Sequence, residues 1–327
     1  MMPRAPDFWR HGGGRVLPAL LAPLAAITAR VTARRVARPG FTAGVPVICC
    51  GNVTSGGAGK TTLALALGRR LVERGVAAHF LLRGYGGTAR GTMRVDADAP
   101  VGLVGDEALL LARVAPTWIG ADRAASAREA VAAGAAALVM DDGLQNPTLV
   151  KNLSFLVVDG ATGFGNGHVL PAGPLREPIA VGAARCQAAV LIGEDRTGAA
   201  ARLPATLPVL RARLRPGAEV AALARRRVVA FAGIAIPEKF FTSLAEAGVE
   251  VTERHPFPDH YRFSEEELDA LAERADRRRA VLLTTAKDAV RLPPVFRPRV
   301  RVASVSLEFE DEAALDALLD QALRSVG

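Results

Sequence analysis

One stretch constrains this chain more than any other: Pro46 to Thr62, PVICCGNVTSGGAGKTT, an apolar run that breaks into glycine and ends in Gly59-Lys60-Thr61-Thr62. Val47 to Cys50 has the apolar, partly β-branched character of a buried strand, and the text from Leu63 onward that of a helix. Strand, glycine turn and helix in that order predict a phosphate-binding loop. Its residues are Thr54, Ser55, Gly56, Gly57, Ala58, Gly59, Lys60, Thr61 and Thr62, whose backbone N–H groups would cradle phosphate oxygens at the positive end of the helix. Lys60 would reach the outer phosphates of ATP, and the Thr61 hydroxyl would ligate Mg²⁺. The usual spacing asks for glycine at position 54, where Thr54 stands, and Gly56 and Gly57 supply the freedom instead. A flexible linker that happens to contain Lys-Thr is the ordinary alternative, and the flanking strand and helix argue against it.

At 327 residues, half of them hydrophobic, the chain is long enough for two domains with a large core. Lys and Arg number 41 against 33 Asp and Glu, and the resulting +8 suits an acidic partner such as nucleotide, anionic lipid or nucleic acid. No block of basic residues interleaves with aromatics, so nucleic acid is not expected. Three cysteines, two of them adjacent at Cys49 and Cys50, show neither metal-ligand spacing nor a disulfide framework, which implies a reducing compartment.

Residues 1–40 read as a separate segment. Val16 to Ala29 is an uncharged run of 14 residues, with Arg4, Arg10 and Arg15 before it and Arg30, Arg34, Arg35 and Arg38 after it. Crossing a bilayer takes about 20 residues, so the run is short for a span. The favoured expectation is a helix on an anionic membrane surface; a packing helix and a secretory signal are the alternatives.

From Val45 the text alternates strand and helix, which predicts an α/β fold: a P-loop parallel-sheet domain over 41–217 and a smaller α/β domain over 218–327. The seam is placed at Arg215-Pro216-Gly217. Ser264 with Glu267 forms a capping box, Arg299 to Ser306 reads as one strand, and Asp311 to Arg324 as an amphipathic last helix. Gly163 to Pro178 is too rich in Gly and Pro for regular structure, and a loop of that length is usually functional or mobile.

A phosphate loop needs an acid to hold its metal, and the apolar run Ala136 to Met140 ends in Asp141-Asp142. Alternation along a strand would point the two acids different ways, one toward Mg²⁺ and one toward a second ligand or the nucleophile. A strand-end turn is the plainer account of Asp-Asp-Gly, as an N-cap is of Asp106 and a surface position of His260. Arg83, Arg123 and Arg176 follow strands or sit in loops where a phosphate can be met.

With these residues quoted, the chain resembles the tetraacyldisaccharide 4′-kinases, the lipid A 4′-kinase family of Gram-negative inner membranes. The likeness covers nearly the whole chain. It runs through Phe8-Trp9, Gly51-Asn52, the Lys60 loop, Arg83-Gly84-Tyr85-Gly86-Gly87, Val104-Gly105-Asp106-Glu107 and Asp141-Asp142-Gly143-Leu144-Gln145. It continues through Gly163 to Gly167, Leu170 to Pro178, Phe231 to Ile234, Phe257-Pro258-Asp259-His260 and Lys287-Asp288-Ala289-Val290. The resemblance implies transfer of the ATP γ-phosphate to the 4′-hydroxyl of an acylated glucosamine disaccharide 1-phosphate, at the cytoplasmic face of the bacterial inner membrane. It implies Asp106 as base assisted by His260, with Lys60 and Asp142 also catalytic. Thr61, Asp141, Asp142, Glu107 and Gln145 are its metal-site candidates, and Arg83, Tyr85, Arg123, Asn166 and Arg176 its substrate candidates. Two departures stand out: Thr62 where the family commonly has Pro, and Asn146 where it commonly has His. The rival expectation is a MinD-like switch ATPase, whose loop usually carries lysine where this chain has Ser55.

Overall fold

The computed structural model describes residues 6–325, so Arg4 and both chain ends lie outside the described residues. Thirteen strands are described, β1 (Val47–Gly51), β2 (Ala78–Leu82), β3 (Met93–Arg94), β4 (Thr117–Ile119), β5 (Ala137–Asp141), β6 (Leu153–Asp159), β7 (Ala188–Ile192), β8 (Val209–Pro216), β9 (Arg227–Ala232), β10 (Glu250–Pro256), β11 (Val281–Thr285), β12 (Arg301–Ala303) and β13 (Val305–Phe309). Nine form one sheet in the order β13-β8-β7-β6-β1-β5-β2-β4-β3, and four form a second, all parallel, in the order β10-β9-β11-β12. In the large sheet only the outer pairs, β3 with β4 and β13 with β8, are antiparallel.

The central strands β1, β2, β5 and β7 are buried along their whole length because helices cover both faces. On one face Leu63, Leu67 and Leu71 of the Lys60–Glu73 helix pack with Phe80, Phe155 and, from the Glu312–Arg324 helix, Leu315 and Leu319. On the other face Ala127 and Ala130 of the Arg123–Ala132 helix join Phe164, Leu175 and Ala183. The chain runs from β1 outward to β2, β3 and β4, returns through β5 and crosses over β1 to β6. The carboxyl end of β1 therefore lies where the winding reverses, the place where such sheets bind ligands.

The division of the chain differs from a second domain running unbroken over 218–327. The single strand expected at 299–306 is two: β12 belongs to the small sheet and β13 to the large one, with Ser304 between them. Leu307 and Phe309 return to the first core, and the last helix is bolted to the Lys60–Glu73 helix by Arg70 with Asp316 and by Arg74 with Asp316 and Asp320. Burial explains the return, because Leu315, Leu319 and Ala322 cover apolar surface that the first domain exposes without them.

The N-terminal helix is also longer than its uncharged run, spanning Val16–Val36, 21 residues containing an 18-residue stretch of mean hydropathy 1.7, enough in length and composition to cross a membrane. Ala25 and Thr32 face the protein, while Leu17, Leu20, Leu24, Ile27 and Val31 are exposed. Ahead of it, Trp9 Nε1 donates to Pro171 O (3.1 Å), and Asn166 binds the carbonyls of Phe8 (2.8 Å, through Nδ2) and Trp9 (2.8 Å, through its backbone N).

Candidate active site

Gly59 adopts φ +89 and caps the Lys60–Glu73 helix, a conformation costly for any residue with a Cβ, which would also stand 2.7 Å from Ile192 Cδ1. The loop ahead of it is propped from outside. Ser55 N donates to Pro174 O (2.7 Å), and Arg176 N to Val53 O (2.7 Å), so the Gly/Pro loop is zipped to the phosphate-loop backbone. Lys60 Nζ donates to Asn52 Oδ1 (3.2 Å) and stands 3.7 Å from Asp142 Oδ1. Its ammonium is thus held over the loop by neighbours rather than folded away.

Parallel pairing sets Asp141 beside Cys50, one strand from the loop. Thr61 Oγ1 donates to Asp141 Oδ2 (2.8 Å), while buried Asp141 Oδ1 has no hydrogen-bond partner. Burial, with Glu107 adding negative charge nearby, pushes the Asp141 carboxyl up to about 7. Asp142 leaves the strand with φ +52 and turns toward Arg176, which grips it through Nη1 (2.7 Å) and Nη2 (3.1 Å). Partial burial raises the Asp142 carboxyl and Lys60 and Arg176 outweigh it, so it sits below its ordinary value. The two acids do diverge, through the turn at Asp142 rather than through strand alternation. Gln145 donates to Asn52 O (2.7 Å) and to buried Glu177 (2.7 Å), so its amide nitrogen braces the loop.

Asp106 does not cap its helix. Gly105 is the N-cap, at φ +87, where a Cβ would collide with Tyr85 O at 2.3 Å. Asp106 is the first helical residue, 3% exposed, and its Oδ2 accepts from His260 Nδ1 at 2.9 Å. His260 comes from the turn that follows β10, so the pair joins the two sheets. Lys287 Nζ stands 3.9 Å from Asp106, 3.7 Å from Glu107 and 3.9 Å from Asp259. Burial raises the Asp106 carboxyl, but the His260 hydrogen bond with Lys287 and Arg291 more than reverses that, leaving it ionised below its ordinary value.

Other expected residues stand elsewhere. Arg123 is buried and donates to Gly120 O, and desolvation pushes its guanidinium down to about 10, so it is not open to a ligand. Asn166 spends its side chain on Phe8 O, Ala172 O and His168 N, which makes it a clamp for the N-terminal segment. Arg83 is exposed, and the Tyr85 ring lies 6.2 Å from that of His260. Asn146 accepts from the backbone and hydroxyl of Thr148 (2.9 and 2.8 Å), a turn-forming role that needs no titrating group. Among the described residues no three His, Cys, Asp or Glu side chains cluster as a metal cage. Sequence reasoning gave no role to Asn52, Glu177, Lys287, Asp288 or Arg291; the polar spelling of Gly51-Asn52 and Lys287-Asp288 next to apolar strands was the available signal.

The family model for tetraacyldisaccharide-1-P 4′-kinase matches residues 17–324. The tetraacyldisaccharide 4′-kinase of Gluconacetobacter diazotrophicus is 56% identical over 317 residues, covering 97% of each chain, and that of Rhodospirillum rubrum 51% identical over 327 residues, again 97% of each. The fold also matches the crystal structure of LpxK from Aquifex aeolicus in complex with ATP, with a TM-score of 0.75 and 24% identity, over 94% of this chain and all of that one. These likenesses do not favour the switch-ATPase alternative.

Proposed function

This chain belongs to the tetraacyldisaccharide-1-P 4′-kinase family, and from that membership we propose a residue-level mechanism for its phosphotransfer. The enzyme is a phosphotransferase with an alcohol acceptor, acting in lipid A biosynthesis. It moves the γ-phosphate of ATP to the 4′-hydroxyl of tetraacyldisaccharide 1-phosphate. The observation that carries the site assignment is the buried Asp106 carboxylate, held at 2.9 Å by His260 from the other sheet and flanked by Glu107, whose charge acts on Asp141 at the phosphate loop.

Amides of residues 54–62 bind the phosphates, and Lys60 neutralises the outer ones. Asp106 takes the proton of the 4′-hydroxyl as that oxygen bonds to phosphorus and the bond from phosphorus to the ADP oxygen breaks. His260 Nδ1–H orients the carboxylate so that a free oxygen lone pair faces the acceptor. Because Asp106 and the phosphate loop belong to one unit and His260 to the other, closing the cleft between them completes the site and excludes water, the competing acceptor. Mg²⁺ fits this site: Thr61 Oγ1 and the unpartnered Asp141 Oδ1 are hard oxygen donors, and phosphate and water complete such a shell without an all-protein cage. Bound there, the ion would neutralise charge on the β- and γ-phosphate oxygens. Arg176, paired with Asp142, is free to release toward phosphate, and Arg83 and Tyr85 are the remaining acceptor-side candidates.

Residues 41–217 with the returning 305–325 make up the proposed kinase unit, and 218–304 the unit that delivers His260. The exposed apolar stripe of the N-terminal helix, followed by Arg30, Arg34, Arg35 and Arg38, supports residence on the anionic cytoplasmic face of the inner membrane. Incubation with Mg-ATP and the tetraacyl disaccharide 1-phosphate should yield a lipid heavier by one phosphate. ATP turnover indifferent to that lipid would sink the assignment.

A further inference from the structure

The run from Lys287 to Arg291 lies directly behind the Asp106–His260 pair. Arg291 is buried, its side chain 3% exposed. Its Nη2 donates to Gly233 O and to Asp288 Oδ1, both at 2.9 Å, its Nη1 to Tyr261 O (3.2 Å) and its Nε to Lys287 O (3.2 Å). Asp288, fully buried, in turn accepts from Gly233 N (2.9 Å) and from the Thr285 hydroxyl (2.5 Å). His260 N donates to Gly233 O (3.2 Å), and His260 itself holds φ +58, a region that residues with a Cβ seldom occupy. One guanidinium therefore joins the segments after β9, around His260 and after β11. Neutralising Asp288 accounts for one of its four hydrogen bonds and the Lys287 carbonyl of its own turn for a second; the other two go to Gly233 O and Tyr261 O, in the segments that border and carry His260. Its Nε also stands 3.8 Å from Asp106 Oδ2. That pattern needs several N–H groups in a fixed plane, which an ammonium on a flexible stem does not provide.

We propose that Arg291 is a positioning residue for phosphoryl transfer, seating His260 at hydrogen-bond distance from Asp106 while touching neither substrate. The proposal rests on the reading of Asp106 and His260 as base and partner. Steady-state kcat and KM for both substrates are measured on the full chain for R291K, H260A and the double variant. R291K should lower kcat by about tenfold or more while leaving KM for ATP within about twofold, because the phosphate loop sits on the other sheet. In the H260A background the same substitution should cost less than about twofold, since residues acting as one unit are not additive. Wild-type kcat in R291K with H260A impaired overturns the role of Arg291 alone. An R291K loss of full size that persists in H260A shows general structural damage and also overturns it. Wild-type turnover in H260A overturns the base-and-partner reading and this proposal with it. If R291K does not accumulate folded, D288N, which removes the charge anchoring Nη2 at nearly constant shape, goes through the same cycle with the same expected and overturning results.

Discussion

Two carboxylates at the centre of this molecule have been driven in opposite directions by their surroundings. Asp106 is buried yet kept ionised by His260, Lys287 and Arg291, the state that its proposed role as a base requires at neutral pH. Asp106→Asn keeps the volume and the helix start but cannot accept a proton, so kcat should fall by about 10²- to 10⁴-fold while ATP affinity holds. Near-wild-type turnover in that variant would return Asp106 to a structural role. Asp141 is buried with one oxygen unpartnered, and burial raises it to about 7. The folded state therefore keeps its proton in a range where the unfolded chain has already lost it, and stability contributed by this group falls as pH rises from about 4 toward 7. Without divalent cation, Asp141→Asn should melt above the wild type at pH 8, and the gap should narrow toward pH 5. A gap that stays constant with pH would mean that the buried charge is not the cause.

At the scale of single elements, the N-terminal helix and the phosphate loop show how context completes a sequence signal. The helix buries little of its own surface; Leu20, Leu24, Ile27 and Val31 recur at spacings of four, three and four and stay exposed on one side. Each would gain about 1.5–3 kcal/mol on entering an apolar phase. Replacing these four by serine should abolish cosedimentation with anionic vesicles while leaving the melting temperature nearly unchanged, because exposed positions contribute little to folding. Unchanged cosedimentation would place the membrane contact elsewhere. The phosphate loop is instead fixed from behind, by Pro174 on Ser55 and by Asn52 on Lys60.

On the scale of the whole molecule, the chain leaves the large sheet through β8 and comes back through β13, paired from Val305 with Pro216 to Phe309 with Ala212. Contacts between the two units converge on the cleft: His260 with Asp106, Lys287 with Glu107, and Lys239 with Asp159 at 2.5 Å. Deleting residues 305–327 removes Phe309, Leu315 and Leu319 from the first core, each costing about 2–5 kcal/mol as a large-to-small loss. The truncated protein should unfold at markedly lower denaturant, with protease cuts appearing first in the large unit. A truncated chain with the full-length midpoint would show that the returning strand and helix are dispensable.

The order of strand, glycine turn and Lys-Thr, the capping box at Ser264 and the alternating strands and helices are local matters, decided by periodicity and by which residues tolerate a turn, so the α/β class and the phosphate loop were legible residue by residue. Gly105, rather than Asp106, capping its helix was not, because the choice depends on the approach of Tyr85 O. Nor was the burial of Arg123, the clamp formed by Asn166, the split of 299–306 between two sheets, or the grip of Arg291 on the His260 turn. Each of these depends on which distant segment covers an apolar face or meets a buried polar group, and that is settled only when the whole chain competes to exclude water.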